Sequence, residues 1–93
     1  MDELTQYLKS YEYKKSKIEK ILDKKIIITD NHIKNINFKY CNFDIITLFE
    51  KYGYVFTIEI YKIAVRQNGY ILKHISDDKK TDEICKIAVE HLG

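Results

Sequence analysis

The sequence predicts an all-α fold: a small helical-repeat, helix-hairpin domain in which a long N-terminal amphipathic helix packs on capped repeat helices. Three observations carry this expectation. The chain has no proline and three glycines, so long stretches run without a helix breaker. Apolar residues recur at helical spacing in most segments. Two segments, Thr57–Gly69 and Thr81–Gly93, are identical at eight of thirteen positions, which marks a structural repeat.

The 93 residues amount to one domain, 1–93, divided into an N-terminal helix (1–25), an ambiguous connector (26–41) and helical repeats (42–93). A chain of this size buries only roughly 60–65% of its unfolded surface, which leaves room for one small core and none for a deep two-lobed cleft. Hydrophobic residues at 45% and charged residues at 32% exclude a disordered tail. Apolar runs such as Ile26-Ile27-Ile28 fall far short of the roughly 18 residues that a membrane helix needs. Met1-Asp2-Glu3 is acidic and lacks the apolar core of a secretory signal, so a soluble, intracellular protein is expected. Ile, Lys and Tyr abound while Ala, Arg and Pro are scarce. That is the mark of AT-rich coding, as in an amoebal giant virus, a protist, or certain bacteria and phages, and a viral chain would work in the host cytoplasm or the virion.

In the first segment, Leu4, Tyr7, Leu8, Tyr11, Ile18, Ile21 and Leu22 share one helical face. Lys14 and Lys15 interrupt it, which admits a bend. Residues 25–41 read two ways. Ile26–Ile28 and the alternating Ile36, Phe38 and Tyr40 suit a β-hairpin, whereas Asp30 or Asn31 would cap a short helix through Ile36. Asn42 suits the N-cap of the next helix, and Gly53 its left-handed C′ position. Thr57 caps a helix that ends at Gly69 and is apolar almost all round, which makes it the expected centre of the core, with Ile63, Ala64 and Val65 on it. Gly69 is expected, like Gly53, to adopt positive φ. Tyr70–Ile75 reads as a short helix and Ser76–Lys80 as a solvated loop. Thr81 caps the last helix, with Asp82 and Glu83 in the first turn, where the helix dipole favours acids.

The small Ala64 and Ala88 occupy equivalent repeat positions, where another backbone can approach closely. A fainter echo pairs Ile33–Ile36 and the helix closed by Gly53 with Leu72–Ile75 and the helix closed by Gly93. It favours the helical reading of Asn31–Ile36 over the hairpin. The Ala64-Val65-Arg66-Gln67-Asn68-Gly69 helix end, then Leu72-Lys73-His74-Ile75-Ser76, then Thr81-Asp82-Glu83-Ile84 and Ala88-Val89, resembles the tandem helical repeats of the domain of unknown function 4116 family of amoebal giant-virus and Legionella proteins. The resemblance covers residues 57–93. Arg66 replaces the family's Lys, and Glu90-His91-Leu92 departs from its Lys-Gln-Asn ending. It implies a helical scaffold and no catalytic residue.

The chemistry-bearing residues do not group in sequence. His32, His74, His91, Cys41 and Cys85 show none of the paired spacings of structural zinc, so no metal and no cofactor is expected. The two cysteines, 44 residues apart with no C-x-x-C pair, leave one long-range disulfide open but read as free buried thiols. No catalytic residue is assigned and the protein is expected not to be an enzyme: neither Cys has a glycine-rich oxyanion loop, and Asp77-Asp78 beside Lys79-Lys80 reads as a solvated turn.

Two surfaces remain. Lys9, Lys17, Lys20 and Lys24, with Tyr13 among them, form a basic stripe on the first helix that could track a phosphate backbone. The adjacent Glu12, Glu19 and Asp23 and a net charge of +2 weigh against nucleic acid. At the last helix, Ile84, Val89 and Leu92 have no following repeat to cover them, so they form the candidate interface. Tyr7, Tyr11, Tyr52, Tyr61 and Tyr70 read as mostly core, while Tyr13 and Tyr54 do not. The expected function is a protein–protein interaction or assembly module, with self-association or a protein partner, no membrane and no small-molecule substrate. Nucleic-acid binding through the first helix is the alternative.

Overall fold

The computed structural model describes residues 2–92. Among them lie six α-helices: α1 (Glu3–Leu8), α2 (Lys15–Leu22), α3 (Asp30–Lys34), α4 (Ile45–Lys51), α5 (Ile58–Gln67) and α6 (Asp82–Glu90). Three 3-10 segments, Phe38–Tyr40, Gly69–His74 and Asp77–Lys79, join them, and the described residues contain no strand. The domain is all-α, as expected.

The long first helix is instead two. Tyr11 takes φ +60°, a left-handed conformation that cannot continue a helix. Two phenols replace the helical ladder across the break. The Tyr7 hydroxyl donates to the Glu12 carbonyl at 2.7 Å and accepts from the Lys14 N–H at 2.9 Å. The Tyr13 hydroxyl donates to the Leu8 carbonyl and accepts from the Asn37 N–H at 2.8 Å. In a continuous helix the Leu8 carbonyl would have accepted from the Glu12 N–H. The break lets α2 pack on α1, so Leu4 and Leu8 are buried in the same core as Ile18, Ile21 and Leu22. A straight rod of that length would carry one of the two sets away from the core. Tyr13, expected on the wet face, is only 8% exposed, while Tyr11 is exposed.

The connector is helical, in keeping with the repeat echo, but its cap is Thr29. The Thr29 side chain accepts from the His32 N–H, and the His32 ring accepts from the Thr29 N–H at 3.0 Å. This reciprocal pair satisfies two donors that a helix start leaves free. The residues of the alternative hairpin do not pair: Phe38–Tyr40 is a 3-10 turn. The next helix starts two residues later than Asn42 would have it, because Asp44 is the cap, accepting from the Thr47 N–H at 3.0 Å. Gly53 has the expected positive φ, +94°. Tyr54 is buried and donates to Asp30 at 2.6 Å, which fixes α3 to the segment before α5.

Helix α5 is the centre, packing on α3, α6 and the turns at Phe38–Tyr40 and Gly69–His74. It buries Ile60, Tyr61, Ala64 and Val65, while Ile63 is only half-buried against the core. Tyr70 is exposed, not core. Gly69 does not share the positive φ of Gly53; it serves close approach. A Cβ there would lie 2.0 Å from the Ala88 carbonyl oxygen, and its N–H donates to the His91 carbonyl at 3.1 Å. The turn after α5 therefore crosses the end of α6 backbone to backbone, at one of the small positions singled out by the repeat. The expected helix closure at Gly93 lies outside the described residues.

Candidate ligand-binding surface

The repeat places equivalent residues in different surroundings. Thr57 and Thr81 both cap, accepting from the Ile60 and Ile84 N–H at 3.2 and 3.1 Å. Glu59 and Glu83 converge on the Lys62 ammonium at 3.3 and 3.0 Å, which ties α5 to α6. Ile84 is fully buried and so does not belong to the candidate interface: α6 turns its inner face onto α5 and the Gly69–His74 turn. Val89 and Leu92 remain exposed, at 66% and 40%. Ile27 at 84% and Val55 at 73% are more exposed than either, so the apolar exposure is scattered over several elements, as on ordinary surfaces.

The basic stripe is dispersed as well. Tyr13 is buried, Lys24 pairs with Glu3 at 2.7 Å, and Lys17 and Lys20 occupy exposed positions of α2. The break at Tyr11 carries Lys9 to a different neighbourhood. There it lines a cleft of about 570 Å³ with Tyr11, Lys34, Lys39 and Gln67. Lys39 and Gln67 also line an adjoining cleft of about 620 Å³, with Arg66, Tyr70, His91 and one carboxylate, Glu90.

This double cleft combines two properties. Lys9, Lys34, Lys39 and Arg66 are all exposed, and none is in an ion pair among the described residues. The chain's acids are largely engaged elsewhere: Asp2 with His32, Asp44 with His74, Glu50 with Lys79 and Asp77 with Lys80. The second property is aromatic. Tyr11 is 52% exposed, and Tyr40 and Tyr70 are 60% exposed each. Tyr11 and Tyr40 stack with ring centroids 5.4 Å apart at 19°. Three segments distant in the chain supply these residues: the α1–α2 break, the end of α3 with the following turn, and the end of α5 with the turn after it. No sequence window shows the cluster; the one local hint is the run Arg66-Gln67-Asn68-Gly69-Tyr70.

A third cleft, of about 260 Å³, lies between the Cys41–Ile46 segment and the Gly69–His74 turn. His74 meets Asp44 there at 3.3 Å, and Cys41 lines it as a free thiol. Burial pushes the Cys41 thiol up from its ordinary value, which disfavours the thiolate a nucleophile needs. Among the described residues no group of three His, Cys, Asp or Glu side chains converges as a metal set, and no helix is long and apolar enough to cross a membrane. No family model, curated protein or solved structure matches the chain.

Proposed function

We propose that this domain is a non-catalytic binding module whose working face is the double cleft of Lys9, Lys34, Lys39 and Arg66, and that it takes an extended anionic chain. One observation carries the reading: four exposed cations without carboxylate partners gather on a protein whose net charge is only +2. Unpaired like charges held side by side repel one another, and a polyanion relieves that repulsion by exchanging its counterions for them. The protein should be retained on immobilised heparin at low salt. Lys34→Glu with Lys39→Glu should abolish retention, and Lys17→Glu with Lys20→Glu on α2 should reduce it much less. Equal weakening by both pairs would mean that only total charge matters, and the reading would fail.

A protein contact at the end of α6 is the second reading, favoured by the exposure of Val89 and Leu92 on neighbouring turns. Val89→Glu with Leu92→Lys should then change the mass measured by light scattering. The same mass and the same partners for variant and wild type would remove this reading.

A further inference from the structure

We propose that the anionic chain held on this face is a single-stranded nucleic acid, with bases stacked on the Tyr11–Tyr40 pair and on Tyr70 and phosphates on Lys9, Lys34, Lys39 and Arg66. The proposal rests on the reading of the double cleft as an anion site and adds the chemical class of its ligand. Charge alone would suit a sulfated sugar or an acidic peptide equally. The rings favour a ligand that carries bases: three half-exposed tyrosines beside the cations offer flat faces on which bases stack. A duplex has the phosphates but keeps its base faces inside its own stack. A single strand presents both.

The rings are held for this use. Tyr11 sits at φ +60°, a conformation rare for a bulky residue. That conformation lies in the break between α1, which ends at Leu8, and α2, and the ring there stacks beside Tyr40. Two rings already parallel leave an outer face for a third flat ring, with no rearrangement of the pair. Gln67, shared by both clefts, spends its carbonyl on the Phe38 N–H at 2.8 Å, so its NH2 is left as a donor for a base edge. Stacking does not distinguish one base from another, so binding is expected to tolerate many sequences. Glu90 in the second cleft and Glu12 beside Tyr11 in the chain keep the affinity modest, on the order of micromolar at physiological salt.

The test is fluorescence anisotropy of the full chain with labelled oligo-dT and oligo-U of about twelve nucleotides, a length within the usual single-strand site range. The same protein is titrated with a duplex of equal length and with polyglutamate. Single strands should bind at least several-fold more tightly than either, and log affinity should fall with log salt at about −0.7 per phosphate contacted. Tyr11→Ala with Tyr40→Ala should weaken single-strand binding roughly 5-fold to 100-fold and weaken heparin retention much less, since heparin carries no bases. Tyr11→Phe with Tyr40→Phe should bind like wild type, since phenylalanine stacks equally well. A duplex or polyglutamate bound as tightly as the single strands would overturn the proposal, as would Tyr→Ala variants within two-fold of wild type. Retention on heparin without oligonucleotide binding would overturn it too, while leaving the anion-binding reading in place. Loss of both would remove the two together.

Discussion

Gly69 and Asp2 show how single residues fix this fold. A Cβ at Gly69 would meet backbone atoms of both Ala88 and His91, at 2.0 and 3.1 Å, and backbone cannot rotate away as a side chain can. Gly69→Ala should cost roughly 2–3 kcal/mol by overpacking, read as a lower urea midpoint at unchanged slope. Gly53→Ala meets nothing within 4 Å and should cost only about 1 kcal/mol for its positive φ. Asp2 holds two donors: the Thr5 N–H at 2.7 Å, which makes it the cap of α1, and the His32 ring at 2.7 Å. The Thr5 N–H first and His32 second hold its carboxyl down from 3.8 to about 2. A carboxyl lowered by folding stabilises the native state above its unfolded value and loses that contribution as pH falls through the folded one. Wild type should therefore lose this part of its thermal stability between about pH 4 and pH 2. Asp2→Ala should already lack it at pH 6 and show a flatter acid limb in melting-temperature scans.

At the scale of elements, the break between α1 and α2 is the decisive event. Residues 3–24 carry a helical pattern interrupted only at Lys14 and Lys15, and nothing local forbids continuation: there is no glycine or proline among them. The hydroxyl of Tyr13 supplies a partner to two backbone groups from different elements, Leu8 and Asn37. Tyr13→Phe keeps the ring and orphans both, so it should cost about 1–3 kcal/mol in chemical denaturation. On one continuous helix Tyr13 would be solvated and the change nearly neutral, which makes this substitution a direct test of the break.

Across the whole molecule, the repeat separates sequence from surroundings. Val65 and Val89 occupy the same repeat position, yet Val65 is fully buried and Val89 is 66% exposed. Helix α5 is enclosed by α3, α6 and two turns, and α6 meets only α5 and the Gly69–His74 turn among its principal neighbours. Val65→Ala should cost about 1.5–2 kcal/mol, whereas Val89→Ala should stay within about 0.5 kcal/mol. Equal effects on the thermal midpoint would mean that α6 is covered on both sides, as a longer stack of repeats would cover it. The same enclosure explains why Ile84 is core and cannot belong to an interface.

The sequence by itself determined the elements whose information is local. The helical class, the Thr57 and Thr81 caps and the Gly53 terminator all follow from residues within one or two turns of each other, whereas the short helix before Ile36 was legible only through the repeat echo. The burial of Ala64 and Ala88 was also legible, because a repeat reports packing that both copies share. The remaining contacts join partners far apart in the chain and are set by the three-dimensional packing. Tyr13 bonding Asn37, Tyr54 bonding Asp30 and Gly69 crossing Ala88 leave no local signature. The basic cleft is of this kind: Lys9, Lys34, Lys39 and Arg66 look like separate solvated lysines and an arginine until the break at Tyr11 and the centrality of α5 bring them together. Hydrophobic burial is non-directional and settles which face turns inward. The gathering of charges on the outward side depends on long-range packing, which periodicity does not encode.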